Sequence, residues 1–169
     1  VSDWLKTVID KAGVSTVLMG LERSEAILEV NEQLRRRFSR RVDIPPFSIK
    51  TKESRATFIG VVRVLDEKVG LPGRINLHDK ELILPLFFAS NGIIDYLVKL
   101  FIGAYEQAIK LDYEKLDKEC FYIAFSECIW AEGIGKLNPF HESFKYEHLD
   151  KPGMPFHRVI SNESKRVRA

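Results

Sequence analysis

Apolar positions recur every three to four residues along most of this chain, and two short runs break that rhythm. Trp4, Leu5, Val8 and Ile9 repeat at helical spacing, with Ser2 or Asp3 placed to cap the first turn and Ala12-Gly13 to end it. Val14-Ser15-Thr16-Val17-Leu18-Met19 then runs almost unbroken in β-branched and apolar residues up to Gly20. That pattern predicts a strand buried on both faces, as in a parallel sheet. Helical spacing returns over residues 22–37, with Ala26, Ile27, Val30 and Leu34 on one side, and Arg41-Val42-Asp43-Ile44 reads as a second short strand closed by Pro45-Pro46. Helix–strand–helix–strand is a crossover unit of an open α/β sheet. Two short strands cannot satisfy their own edges. The pattern therefore predicts neighbouring strands supplied by the rest of a larger protein or by another chain.

Beyond Pro46 the strand signals stop. Phe58, Val61, Val62, Leu65 and Val69 predict a helix over 53–69, ended by Gly70-Leu71-Pro72-Gly73. A shorter helix is expected over 79–89 with a kink or break at Pro85, a third over 91–110 and a fourth over 113–131. From Gly133 onward Gly, Pro, His and charge mix without a period. The expected division is residues 1–47 as an α/β part, 48–132 as an all-α part and 133–169 as an irregular tail.

Composition narrows the class. The 169 residues are 45% apolar and 30% charged with a net charge of +2, which excludes collagen-like, coiled-coil-only and wholly disordered chains. Net charge alone does not argue for nucleic-acid binding. No apolar run approaches the roughly 20 residues that span a bilayer, and the first residues show no signal-peptide pattern. A cytoplasmic domain without membrane contact is expected. Cys120 and Cys128 are eight residues apart on one predicted helix, roughly 12 Å along its axis, beyond the roughly 7 Å Cα limit of a disulfide. They read as core thiols. Three of the four histidines fall in the tail, where solvated side chains are expected rather than metal ligands.

Catalytic motifs are missing: no Gly-rich phosphate loop, no apolar strand running into an Asp-Glu pair, no HExxH, CxxC or G-x-S-x-G. One cluster stands apart. Arg35, Arg36, Arg37, Arg40 and Arg41 place five arginines within seven positions around Phe38. A solvated helix end accounts for some of them, since cations suit the C-terminal dipole. A seated Phe38 would aim Arg37 outward, as a γ-phosphate on an adjacent subunit requires. Contact with a nucleic-acid backbone is the competing use. The tail carries Phe140, Phe144, Tyr146, Met154 and Phe156, more aromatic surface than a linker needs. These rings either anchor a partner or fold back on the chain's own helices.

Taken in order, these segments resemble a known family. Trp4-Leu5, Val17-Leu18-Met19-Gly20, Asn31-Glu32-Gln33-Leu34 and Arg36-Arg37-Phe38 are similar to the stretch after the Walker B strand in the TniB/TnsC family, the AAA+ ATPase regulators of DNA transposition. Gln33-Leu34-Arg35-Arg36-Arg37-Phe38 matches that family's Gln-Leu-x-x-Arg-Phe box, Asn91-Gly92-Ile93-Ile94 resembles the opening of its lid helix, and Asn138-Pro139-Phe140 a short motif of its tail. The resemblance implies the C-terminal half of an AAA+ module, mostly helical α/β with two parallel strands and crossover helices, followed by an all-α lid and an irregular tail. It implies that the phosphate loop and Walker B carboxylates precede Val1, so that ATP and Mg²⁺ belong to the full-length protein and this chain alone is inactive. Arg37 would be the arginine finger acting in trans and Lys99 a nucleotide-side cation of the lid. Arg35, Arg36, Arg40, Arg41, Phe140 and Phe144 would contact DNA or partners. The implied partners are further copies in an ATP-dependent oligomer, a transposase, a target-selection protein and DNA. The alternative is an α-helical protein- or DNA-interaction module with no nucleotide role.

Overall fold

In a computed structural model, described for residues 7–9, 11, 13, 15–20, 32–38 and 40–157, every regular element is helical. The helical part of the expectation is what the structure displays; among the described residues, 15–20 and 40–44, where strands are expected, form no strand. Their side chains explain the outcome. Val17 is 80% exposed, Met19 93%, Val42 84% and Ile44 90%. A strand needs a neighbour's N–H and C=O groups, and an apolar run that finds no sheet has nothing to bury its faces. Residues 7–9 and 11 are helical, and of the helix expected over 22–37 the described part is α1, Glu32–Arg37. The caps expected at Ser2 and Asp3, and residues 21–31, lie outside the described residues.

The chain divides into two units, Val1–Ile44 and Pro45–Ala169. In the second, α2 spans Lys52–Val69, and its start is locally encoded. Thr51 Oγ1 accepts from the Ser54 N–H while Ser54 Oγ accepts from the Thr51 N–H, both at 3.1 Å, a reciprocal capping box. Gly70, at φ 77°, ends it in the left-handed conformation that glycine adopts without a Cβ clash. The next helix, α3, spans Lys80–Ser90, opened by Asp79 Oδ1 accepting from the Glu81 N–H at 2.8 Å. Pro85 does not break it. The missing N–H would have bonded the carbonyl of Glu81, which lies on the exposed first turn, so little is lost.

Helix α4 spans Ile94–Lys110, three residues later than the periodicity suggests, because Asn91 (φ 49°) and Gly92 (φ 69°) are both left-handed. A Cβ at position 92 would collide with the carbonyl of Phe47, whose N–H in turn donates to Gly92 O at 2.7 Å. Helix α5 is shorter than expected, Lys118–Cys128 rather than 113–131. Residues 112–117 are held otherwise: Asp112 is left-handed (φ 56°), Glu114 O accepts from the Gly73 N–H at 2.8 Å, and Asp117 Oδ1 caps the Cys120 N–H at 3.0 Å.

The core is built from Phe58 and Val62 of α2, Leu86 of α3, Leu97 and Leu100 of α4, and Phe121 and Phe125 of α5, all fully buried. Helices α4 and α5 approach closely at Gly103, where a Cβ would lie 3.0 Å from Ala124 Cβ and 2.7 Å from Cys128 Sγ. The described part of the tail, 133–157, packs into this same core. Phe140 stacks on Phe121 with centroids 5.6 Å apart and planes 16° apart, Phe144 meets Phe88 at 6.0 Å, and Phe156 meets Tyr96 at 5.1 Å. Among the described residues no helix is long and apolar enough to cross a membrane.

Candidate functional site

Helix α1 ends in three consecutive arginines, and the cationic segment continues through Arg40 and Arg41. All five are exposed, while Phe38 in their midst is half-buried. Arg36 is turned along its own helix, its guanidinium 2.6 Å from Glu32 Oε1 across one turn. That i,i+4 pair is solvent-exposed and worth a few tenths of a kcal/mol at most. Its consequence is orientation: Arg36 is drawn toward Glu32. The basic side chains suit the negative end of the helix dipole.

Lys99 lies in the other unit, half-exposed on α4. Its Nζ is 2.7 Å from Asp95 Oδ2 and 5.4 Å from the centroid of the Tyr96 ring. The hydrogen bond to Asp95, and then that carboxylate's charge, push the Lys99 pKa up. The ammonium thus sits in a solvent-exposed i,i+4 pair with a carboxylate of its own helix, a pair weak enough to rearrange. Among the described residues no group of three or more His, Cys, Asp or Glu side chains is placed to hold a metal ion. A shallow open cleft between the start of α5 and the 140–142 turn is lined by Asp117, Glu119, Tyr122, His141 and Glu142, with Lys118 beside them. Its acidic rim does not suit a triphosphate.

Phe140 and Phe144, expected as partner contacts, lie in the chain's own core. They are 3% and 7% exposed against the chain's own helices, because aromatic side chains bury more area on an existing apolar surface than water allows them to leave exposed. The device that docks them escaped the sequence reading. Asn138 is fully buried, its Nδ2 donating to Tyr122 O at 2.9 Å and Gly133 O at 2.8 Å, while its Oδ1 accepts from the Phe140 N–H at 3.0 Å. The Asn-Pro pair was the available signal, since Asn before Pro marks a turn with side-chain-to-backbone bonds.

The tail histidines are also engaged rather than simply solvated. His148 Nδ1 is 2.8 Å from Asn91 Oδ1, His141 Nδ1 accepts from the Ser143 N–H at 3.1 Å, and His157 Nδ1 is 3.1 Å from Asp150 O. Of the two cysteines read as core thiols, Cys120 is buried and Cys128 is exposed. Burial pushes the Cys120 thiol up to about 11, so it is no nucleophile. Asp66, 5% exposed, is a buried carboxylate the sequence did not flag. It accepts from the Ile75 N–H at 3.3 Å and lies 3.9 Å from Arg74. No protein-family model matches the chain, and no curated protein matches it significantly.

Proposed function

We propose that this chain is part of an ATP-dependent regulator of DNA transposition of the TniB/TnsC kind, carrying a trans-acting arginine and a helical lid. The observation that carries the reading is the order of its parts. An exposed arginine segment at the end of α1 is followed in sequence by a unit of four α-helices with its own core, in which, among the described residues, no metal-holding group of His, Cys, Asp or Glu is assembled. In that arrangement Arg37 presents a guanidinium to the γ-phosphate of ATP held by a neighbouring copy, where it offsets charge that builds on the transferring oxygens. Arg35, Arg40 and Arg41 add local positive potential for DNA or an acidic partner. Phosphate binding and Mg²⁺ coordination fall to residues outside those described.

A second reading is favoured by one observation. Residues 15–20 and 40–44 form no strand. A self-standing α-helical interaction module, its arginines binding DNA or an acidic protein, needs none. The two readings part in the full-length protein. In the assembled state, Arg37→Ala is expected to lower ATP turnover by about tenfold or more, within the wide range that arginine fingers show, while nucleotide affinity of the monomer stays unchanged. Undiminished turnover in Arg37→Ala, or an equal loss in Arg36→Ala or Arg40→Ala without one in Arg37→Ala, overturns the assignment.

A further inference from the structure

Helix α4 has one apolar face in the core and a second facing water. Ile94, Val98, Ile102, Tyr105 and Ile109 follow each other at spacings of four, four, three and four, which places them in a single stripe. Ile94 is 47% exposed, Ile102 55%, Tyr105 38% and Ile109 57%, while Val98 is half-buried. Scattered exposed apolar residues need no explanation, but a continuous row does. The row leaves roughly 400 Å² of apolar surface in water, within the range of patches that mark interaction sites. Small specific interfaces bury about 600–800 Å² per partner, somewhat over half of it apolar. The stripe supplies about that much.

The charges beside the stripe say what covers it. Asp95, Lys99, Glu106 and Lys110 all lie on one flank, each exposed. In antiparallel helix pairing the same flanks meet, and residues equidistant from the centre face each other. With the centre just beyond Ile102, midway between positions 102 and 103, Lys99 falls opposite Glu106 and Asp95 opposite Lys110, each pair formed twice. Parallel pairing would instead turn this charged flank away from the partner's copy of it, leaving the four charges without one another. Glu106 and Lys110 make no ion pair among the described residues, so both are available.

We propose that this face of α4 pairs antiparallel with the same face of a second copy of the chain, across a two-fold axis just beyond Ile102. The inference stands on α4 alone and does not depend on a nucleotide role. The small area makes the dimer micromolar or weaker, formed at high local concentration. The test is sedimentation equilibrium of the full 169-residue chain from about 5 to 500 µM at low and high salt. The expected result is a concentration-dependent monomer–dimer equilibrium that salt weakens. Ile102→Glu with Ile109→Glu should abolish it with unchanged circular dichroism, since both positions are over half exposed. Glu106→Lys should weaken it roughly tenfold, by turning two attractive pairs into repulsive ones, and adding Lys99→Glu should restore most of that loss. A chain that stays monomeric throughout, as it would if its own N-terminal residues or a different protein covered the stripe, overturns the proposal. So does a dimer indifferent to the two isoleucines, or one that the charge swap fails to rescue.

Discussion

Replacing Asn138 by Ala isolates the device that docks the tail. The side chain is fully buried and makes three hydrogen bonds, two donated to carbonyls and one accepted from the Phe140 N–H. Alanine removes all three. Tyr122 O keeps another partner in Ser126 Oγ at 3.3 Å, so the orphaned groups are Gly133 O and the Phe140 N–H. Each buried group left unpaired costs about 1–3 kcal/mol, which puts the total near 3 kcal/mol. For a cooperative unit of this size that is roughly a 10 °C fall in Tm. The loss should appear in thermal and urea unfolding of the full chain at pH 7, followed by far-ultraviolet circular dichroism. Hydrogen exchange at the Phe140 amide should accelerate in parallel, because that N–H loses its only side-chain acceptor. A Tm within about 2 °C of the parent, with the Phe140 amide still protected, would refute the assignment of Asn138 as the tail's anchor.

Two further outcomes follow from the buried titratable groups. Desolvation raises the Asp66 pKa despite the Ile75 N–H and Arg74, so the folded state holds its proton to higher pH than the unfolded state does. Stability tied to that proton is present at low pH and is lost as pH rises through the raised value. Asp66→Asn, which can keep the Ile75 bond, should therefore be neutral or stabilising by less than about 1 kcal/mol at pH 7, the gain vanishing toward pH 3 in urea titrations. A clear loss at pH 7 would mean that the Arg74 pair outweighs burial. Native labelling with iodoacetamide at pH 8, read by mass spectrometry, should modify Cys128 slowly and leave Cys120 intact until the chain unfolds. Labelling of Cys120 at a comparable rate would show that α5 opens locally.

Features decided within a few residues were legible in the sequence. Helix α2 ends where Gly70 permits a left-handed turn, and α3 begins where Asp79 caps it. The arginine segment around Phe38 was equally plain, as was the absence of a phosphate loop. These depend on local sterics, capping and side-chain chemistry, which one stretch of chain carries with it. Other features needed partners far away in sequence. Residues 113–117 have helical character in isolation, yet the Gly73 N–H claims Glu114 O and α5 starts only after Asp117. The apolar run at 14–19 reads as a strand, yet its described part forms none, because a ladder is a property of two chains of atoms and not of one. Periodicity marked α4 as amphipathic but could not separate the face in the core from the stripe left in water. Nor could composition choose between a tail that seeks a partner and one that folds back. For the described part of the tail, Phe121 and Phe88 offer Phe140 and Phe144 apolar surface next to a buried Asn138 that fixes the turn, contacts that only the tertiary structure brings together.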